Sequence, residues 1–238
     1  MPLTQQDGFE TPLRAAQDET VKEETESLDA RDPADFPISG YGRQRLLDTA
    51  LRLFDEEGLN GTSARAVARA AGHRNVGAVA YHFGSVFGLL QAVLAHWQER
   101  AEQRREQLLD ELEASGNVTP RAAIDAMFTP HVEFLDDPDG RRFLRVLNQT
   151  VNHPTWFDEA NPARLRGNQR GIAHLLPLWE HVPEEVRVYR AFNAFGLVCF
   201  ALAEQARLLD TPSPGRPILD KDTFKNDLIT VMVNVFTA

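Results

Sequence analysis

Cysteine is almost absent from this sequence, because Cys199 is the only one among 238 residues. A single cysteine excludes an intramolecular disulfide bond and suits a reducing compartment, so we expect a cytoplasmic protein. Cys199 lies in an apolar stretch, Val198 to Leu202. This position favours a buried, unreactive thiol over a redox sensor.

Long apolar runs are also lacking. No stretch of about 18 uncharged apolar residues occurs, so the sequence predicts no membrane-spanning segment. The N-terminus has no basic patch followed by an apolar stretch, so no secretory signal is expected. Hydrophobic residues still make up 42% of the chain. That fraction is enough to bury a core in one large domain or two smaller ones.

Motifs for catalysis or metal binding are missing as well. The sequence has no glycine-rich phosphate loop, no Gly-x-Ser-x-Gly and no His-Glu-x-x-His. Its seven histidines are scattered, and His174 and His181 are separated by one heptad without a third ligand nearby. We therefore expect neither an enzyme nor a metal or cofactor site.

Negative charge is concentrated at the N-terminus. The formal net charge is −10, and residues 1–38 carry ten acidic side chains against three basic ones. With four prolines and few large apolar residues, this tail is expected to be disordered. The alternative is that it mimics DNA and competes for a basic surface. Residues 39–85 could supply such a surface, because they contain six arginines and only four carboxylates.

Residues 61–83 predict two short helices joined by a tight turn. Thr62 and Ser63 can accept hydrogen bonds from the free N–H groups of a first helical turn. Gly72 can adopt the left-handed conformation that ends a helix. Asn75 can cap a second helix. A short capped helix, a glycine turn and another short helix are typical of a helix-turn-helix.

Features on both sides of this segment extend the pattern. They are a leading helix that includes residues 45–54, the Glu57-Gly58 turn, Gly61-Thr62-Ser63, and Tyr81-His82-Phe83-Gly84-Ser85 followed by Leu89-Leu90. Apolar residues from Leu46 to Phe54 repeat every three to four positions, so this helix is expected to run from about residue 41 to residue 57 with one apolar stripe. In this order and spacing, residues 43–94 resemble the DNA-binding domain of the TetR family of bacterial transcriptional regulators.

The resemblance implies an all-α chain with a three-helix helix-turn-helix domain over residues 39–88. A larger helical domain for effector binding and dimerisation would occupy residues 89–238. The implied function is a ligand-responsive regulator, most commonly a repressor, that binds palindromic operator DNA as a homodimer and is released by a small-molecule effector. The alternative is a helical small-molecule-binding protein whose DNA-binding head is degenerate.

Eleven residues are expected to contact DNA. Arg74 and Asn75 can make paired hydrogen bonds to base edges, and Ala78 can meet a thymine methyl group. By the resemblance, Tyr81 and His82 contact phosphates, although both could instead pack against neighbouring helices. Backbone N–H groups at the start of the first short helix could also hold a phosphate. The full set is Arg43, Thr62, Ser63, Arg65, Arg74, Asn75, Val76, Gly77, Ala78, Tyr81 and His82.

Three departures from the family pattern bear on this expectation. Val86 stands where the family usually has a lysine that meets a phosphate, and Ala80 stands where Tyr or Asn is common. The turn after Gly72 also appears one residue longer. Losing one phosphate contact lowers the salt dependence of binding by about one ion. These departures favour the alternative of a degenerate head.

Apolar residues at helical spacing predict helices in the rest of the chain. Their expected bounds are 86–114, 120–135, 137–153, 162–181, 184–209 and 221–236, with residues 99–105 read as solvated charge. Pro177 is expected to bend the fourth of them. The last two are more apolar than one core requires, which favours a dimer interface over an intramolecular core.

Side chains for an effector pocket can only be nominated from the sequence. Aromatic and apolar residues on the predicted inner faces could line a cavity, with a few polar groups to orient a ligand. Each of them could equally be ordinary core. The candidates are Phe134, Phe143, Leu147, Asn148, His174, Trp179, Phe192 and Phe195.

Overall fold

A computed structural model of the protein describes residues 40–73, 75–151 and 166–237. All regular secondary structure in these ranges is helical, which confirms the predicted all-α class. The acidic tail and Arg74 lie outside the described residues, so the predictions made for them remain predictions.

Nine α-helices follow one another along the described chain. They are α1 (Gly40–Glu57), α2 (Ala64–Ala70), α3 (Ala78–Phe83), α4 (Val86–Ser115), α5 (Pro120–Glu133), α6 (Pro138–Thr150), α7 (Arg166–Leu175), α8 (Glu184–Asp210) and α9 (Lys221–Thr237). Short 3-10 turns, Phe134–Asp136 and Leu176–Trp179, follow α5 and α7. The second turn contains Pro177, so the helix predicted to bend there changes its winding at Leu176.

Capping side chains set the starts of several helices. The hydroxyl groups of Ser63, Ser85 and Thr119 each accept a hydrogen bond from the backbone N–H three residues later, at 3.2, 3.0 and 3.2 Å. Gly116 ends α4 in the left-handed conformation, with φ of 68°. Such local bonds satisfy backbone groups that the helix itself leaves unpaired. They confirm the predicted bounds of α4.

Two predicted caps are wrong in detail. The Thr62 hydroxyl is buried and donates to the carbonyl of Gly58 at 2.9 Å, so it closes the turn after α1 rather than capping α2. Asn75 lies two residues before the N-cap of α3, which is Gly77. Each side chain instead bonds to a backbone group in the adjoining turn, as short polar side chains often do.

The head, α1–α3, packs around one apolar stripe of α1. On this stripe Leu46 and Ala50 are fully buried and Phe54 is nearly so. Val67 of α2 and Val79 of α3 are also fully buried. This confirms the stripe predicted for the first helix. The same core continues without a break along α4 into the rest of the molecule.

The body, α4–α9, is a bundle built around α5 and α6. Helix α5 packs against α4, α7 and α9, whereas α6 packs against α8 and also reaches α1 of the head. Helix α4 runs through both parts, with Leu89 and Leu90 buried near the head and Trp97 buried in the body. The head is therefore held by two elements of the body, α4 and α6.

The prediction of solvated charge over residues 99–105 is wrong for two side chains. Glu102 and Arg105 are 7% and 4% exposed and form an ion pair with each other. The Glu102 carboxylate also accepts hydrogen bonds from the backbone N–H groups of Gly167 and Asn168, at 2.9 and 3.3 Å. A helix N-terminus favours a negative partner, so Glu102 fastens the start of α7 to α4.

Helix α8 has a largely exposed apolar surface. Among the described helices, it is the one whose length and composition meet those of a membrane span, although core helices of soluble proteins meet the same criteria. The sequence prediction considered only uncharged runs and did not single it out. Of its most apolar window, 28% is buried within this chain. Cys199 on this helix is buried, and this burial raises the pKa of its thiol to about 12.

Candidate nucleic-acid interface

The turn between α2 and α3 is fixed by backbone hydrogen bonds. Gly72 has φ of +74° and donates to Arg69, while the His73 N–H donates to Ala68 at 2.9 Å. This pair of bonds is the usual glycine-dependent end of a helix. A Cβ atom on Gly72 would also approach Nη2 of Arg45 to 2.8 Å. The turn therefore requires glycine for its left-handed conformation, whereas the contact with the flexible Arg45 side chain is one that can shift.

The chain then enters α3 through a second local bond. The Asn75 side-chain oxygen accepts from the N–H of Gly77 at 2.8 Å, which forms an Asx turn. Val76 is consequently exposed at 48%, whereas Ala78 is 1% exposed. The expected contact of Ala78 with a thymine methyl group is thus not supported by its position, because the side chain faces the core of the head.

The end of α3 gathers three of the nominated side chains into one surface patch. Tyr81 is 44% exposed and its ring stands edge-on to His82 at 5.0 Å. Arg43 of α1 places its guanidinium 5.0 Å above the Phe83 ring. Burial, and then the charges of His73 and Arg43, lower the pKa of His82. We call Arg43, Tyr81 and His82 the α3 patch.

Charge on the head is distributed unevenly. Arg43, Arg45, Arg65 and Arg69 are exposed. Two of the four carboxylates of the head form ion pairs. Asp55 binds Arg145 of the body at 2.6 Å, and Glu56 binds Arg52 within α1 at 2.7 Å. The net positive charge read from the sequence is therefore carried by exposed arginines of α1 and α2.

Other nominated DNA contacts occupy mixed positions. Ser63 is exposed but its hydroxyl caps α2, and Thr62 is 6% exposed. Gly77 is partly buried as the N-cap of α3. Helix α2 spans only seven residues. The described residues exposed next to the turn thus include Val76, Arg65, Arg69 and the α3 patch.

The effector-pocket candidates separate into two groups. Phe134, Phe143 and Leu147 are buried, and the Phe134 and Phe143 rings meet at 5.5 Å. Trp179 is also buried but stacks on Phe236 at 4.4 Å, in a different place. The structure therefore brings together three of the eight nominated residues.

The remaining candidates do not share that interior position. Phe192 is 38% exposed on α8. His174 is partly exposed and lies 3.0 Å from Oε1 of Glu113. Phe195 and Asn148 are partly buried. A pocket role for these four residues stays a prediction.

A polar tie between the head and the body was missed by the sequence reasoning. Arg145 of α6 binds both carboxylate oxygens of Asp55, with its Nε and Nη2 at 2.7 and 2.6 Å. Its Nη1 binds Asp210 at the end of α8 at 2.6 Å, and Arg141 binds the same carboxylate. The hydrogen bond to Asp55 is the main cause that raises the pKa of Arg145.

Gln149 extends this tie one turn further along α6. Its amide nitrogen donates to the carbonyl of Phe54, and its oxygen accepts from the N–H of Leu59, each at 3.3 Å. Asp55, Arg145, Asp210 and Gln149 are called the α1–α6 latch below. Its members are up to about 155 positions apart in the sequence, so spacing alone carried no signal for it.

A short helix, a left-handed glycine turn and a second short helix with exposed polar tips make this head a helix-turn-helix module. The sequence pattern of the bacterial regulatory proteins of the tetR family matches residues 46–93. The HTH-type transcriptional regulator BetI of Burkholderia cenocepacia is 43% identical over 146 residues, which cover 57% of this chain and 70% of that protein. The chain belongs to the TetR family.

Two further comparisons agree with this assignment. BetI of Burkholderia thailandensis is 30% identical over 135 residues, covering 53% of this chain and 64% of that relative's length. A TetR-family transcription regulator from Shewanella sp. PV-4 has a similar structure, with a TM-score of 0.55 at 18% identity. That likeness covers 81% of this chain and 96% of the other. At such an identity it establishes the fold alone.

Proposed function

We propose that the protein is a dimeric transcriptional repressor that binds palindromic operator DNA and is released by a small-molecule effector. Residues 39–88 would form the DNA-binding domain and residues 89–238 the effector-binding and dimerisation domain. The observation that carries the proposal is the α3 patch, which places Arg43, Tyr81 and His82 together on the exposed end of the second short helix.

Contacts to DNA divide between base edges and phosphates. In this assignment Arg74, Asn75, Val76 and Gly77, at the entry to α3, face the major groove. Arg65, Tyr81 and His82 contact phosphates, with Ser63 beside them. A phosphate next to His82 would favour its protonated form, so binding should strengthen as the pH falls.

Arg43 supplies a cation where the family usually has a lysine. That family position is Val86 here, a partly buried side chain that packs on the core. Arg43 lies over Phe83, three residues before Val86. Its guanidinium therefore lies near the start of α4 and can replace the missing lysine as a phosphate contact.

The exposed side of α8 is assigned to a second copy of the chain. Val188 and Tyr189 are each 67% exposed and Phe200 is 60% exposed, which is a large apolar surface for one helix. Arg187 and Arg190 lie on the same helix and would be costly inside a lipid bilayer. A twofold dimer through α8 and α9 would match the twofold symmetry of an operator.

Signal transfer can follow the two elements that hold the head. An effector bound in the body would shift α4 directly, and it would shift α1 through α6 and the α1–α6 latch. Either movement changes the separation of the two heads from the roughly 34 Å that successive half-sites require. Population of the DNA-binding arrangement would fall accordingly.

A second candidate function is favoured by Val86 and Ala80, the two departures from the family pattern. In this case the protein binds a small molecule but its head no longer binds an operator. The two candidates differ in one measurable property, namely preference for a specific DNA sequence.

The test is a mobility-shift titration with DNA from around the protein's own coding region, over a salt series. Wild type should prefer one short near-palindrome over random DNA, with a steep loss of affinity as salt rises. Arg43→Ala and Tyr81→Ala should weaken binding, and Arg43→Ala should lower the salt slope by about one ion. Arg121→Ala, at the exposed start of α5, is the matched control and should change nothing.

Absence of any preference over random DNA, even at low salt, would support the second candidate for that region. Equal effects of Arg43→Ala and Arg121→Ala would remove Arg43 from the interface while leaving the helix-turn-helix assignment intact.

A further inference from the structure

His131 of α5 is enclosed by the body, and neither of its ring nitrogens has a hydrogen-bond partner among the described residues. An unpaired buried polar atom costs about 1–3 kcal/mol, so proteins keep few of them without a reason. Burial, and then the charge of Arg105, lower the pKa of His131 to about 3. The ring is therefore neutral near pH 7 and offers one donor and one acceptor.

The ring of Phe134 lies beside this imidazole and joins it to two further aromatic rings, Trp97 and Phe143. The Phe134 ring stands edge-on to the His131 ring, with the ring centroids 5.9 Å apart. It also stands edge-on to the Trp97 ring, with the centroids 5.1 Å apart. Trp97 in turn stacks on Phe143 at 5.4 Å. We call Trp97, His131, Phe134 and Phe143 the aromatic site. Apolar walls with one unpaired polar group are the usual composition of a small-ligand site.

The buried charges nearest to the aromatic site are already neutralised, and Arg100, whose guanidinium lies 4.3 and 5.6 Å from the centroids of the Trp97 and Phe134 rings, is exposed. Arg105 binds Glu102, and its Nε donates to the carbonyl of Met127 at 3.1 Å. Glu102 is further occupied by the N–H groups at the start of α7. A charged group placed at His131 would find no free buried counter-charge among the described residues, and burying it unpaired would be costly. The site therefore favours an uncharged molecule.

Room for a ligand can come from Met127. This residue lies one turn before His131 on the same side of α5. It packs against Gly171 of α7, where a Cβ atom would approach its Cγ to 2.4 Å. Methionine is unbranched and flexible, so it can rotate away where a β-branched residue could not. A molecule that enters at Met127 would press on α7 and α4 together.

We infer that the aromatic site binds a small uncharged molecule of the phenol type, with an apolar ring and one hydroxyl group. The ring packs against Trp97 and Phe143, and the hydroxyl group forms a hydrogen bond with a nitrogen of His131. This molecule class is the effector only if the proposed function holds, whereas the binding step stands without it.

The test is isothermal titration of the full chain with four probes of similar size: phenol, toluene, benzoate and benzylamine. Phenol should bind about tenfold more tightly than toluene, which is the factor expected for one net hydrogen bond. Benzoate and benzylamine, which are charged at neutral pH, should give no measurable heat.

Three variants assign the preference to the imidazole. His131→Leu should lose the advantage of phenol over toluene, and His131→Gln should keep part of it. His174→Gln, a partly exposed histidine on α7, is the control and should bind as wild type does. In the free protein His131→Leu should unfold at the same temperature as wild type or higher, because it removes two unpaired polar atoms.

Equal affinity for phenol and toluene, binding of benzoate, or no binding of phenol would overturn the inference. A strong loss of stability in His131→Leu would overturn it too, since the imidazole would then have partners. Specific DNA binding without phenol binding would refute this inference and leave the proposed function standing. Phenol binding that leaves DNA affinity unchanged would keep the site and refute its role as the effector site.

Discussion

Among the described residues of the head the buried side chains are apolar except for Thr62, whereas the body buries Glu102, Arg105 and His131 besides its apolar core. The head is held together by small apolar side chains, local helix caps and a glycine turn. These features specify one conformation without the free-energy cost of burying charged groups. The body keeps a buried ion pair and an unpaired imidazole, both of which cost free energy. The contrast suggests a fixed module for contact with DNA and a body with polar chemistry to which a ligand could respond.

Removing one partner of the buried pair should have the largest effect. Glu102→Ala leaves Arg105 unpaired and frees the start of α7, so the free energy of unfolding should fall by about 3–5 kcal/mol. Urea unfolding measures it. Glu56→Ala, in the exposed Arg52 pair of the head, is the comparison and should cost less than about 1 kcal/mol.

Replacement of both partners separates charge from packing. Glu102→Leu combined with Arg105→Leu should recover most of the loss, because no unpaired charge remains. If Glu102→Ala cost no more than Glu56→Ala, the contrast between body and head would disappear.

The α1–α6 latch should come next in size. Arg145→Ala removes charge-assisted hydrogen bonds to two partly buried carboxylates, Asp55 and Asp210, and should cost about 2–3 kcal/mol. A double-mutant cycle with Asp55→Ala measures the part that joins head to body. Arg142→Ala, in the more exposed Asp139 pair of the same helix, should cost under about 1 kcal/mol. Equal losses of stability for Arg145→Ala and Arg142→Ala would mean that the latch stabilises the protein no more than an exposed ion pair does.

Acid should act on the body through His131. Its pKa is 6.5 in the unfolded chain and about 3 in the folded one. Below pH 6.5 the imidazole is therefore protonated in the unfolded state but stays neutral in the folded state, so the free energy of unfolding falls as the pH drops toward 3. At pH 5 this loss amounts to about 2 kcal/mol. Urea unfolding at pH 8 and pH 5 should show a smaller difference for His131→Leu than for wild type. An unchanged difference would mean that His131 is not buried as the neutral form.

The smallest effect should be confined to the head. Ser63→Ala removes the cap of α2 and should cost about 1 kcal/mol, while Ser63→Asp should retain most of the stability. Hydrogen exchange of α2 amides measures it, with α5 as the internal reference. Equal acceleration in α2 and α5 would show that the cap acts on the whole molecule rather than locally.

Local signals explain why much of the fold could be predicted from the sequence. The bounds of α1, α4, α8 and α9 were predicted to within about one residue, because serine caps, glycine stops and apolar spacing act over a few positions. The same locality limited the detail. Whether Thr62 or Ser63 caps α2 depends on the backbone direction at that turn, which composition does not specify.

The chemistry of the body could not be predicted in the same way. Residues 99–105 contain mostly charged side chains, so a count of polarity favours solvent, although Trp97, Ala101, Arg105 and Leu109 repeat every four positions and are all buried. The Arg145–Asp55 contact joins positions 90 apart. That His131 has no partner in the part of the chain that the structure describes depends on the whole surrounding structure, so no short pattern could indicate it.

The most direct measurement is a hydroxyl-radical footprint of the protein on the preferred DNA from its own locus. The account predicts two protected half-sites on one face of the duplex, about 34 Å apart, with two chains bound and the protection lost in Tyr81→Ala. A single protected patch, or protection spread evenly over any DNA, would contradict the proposal of an operator-binding dimer.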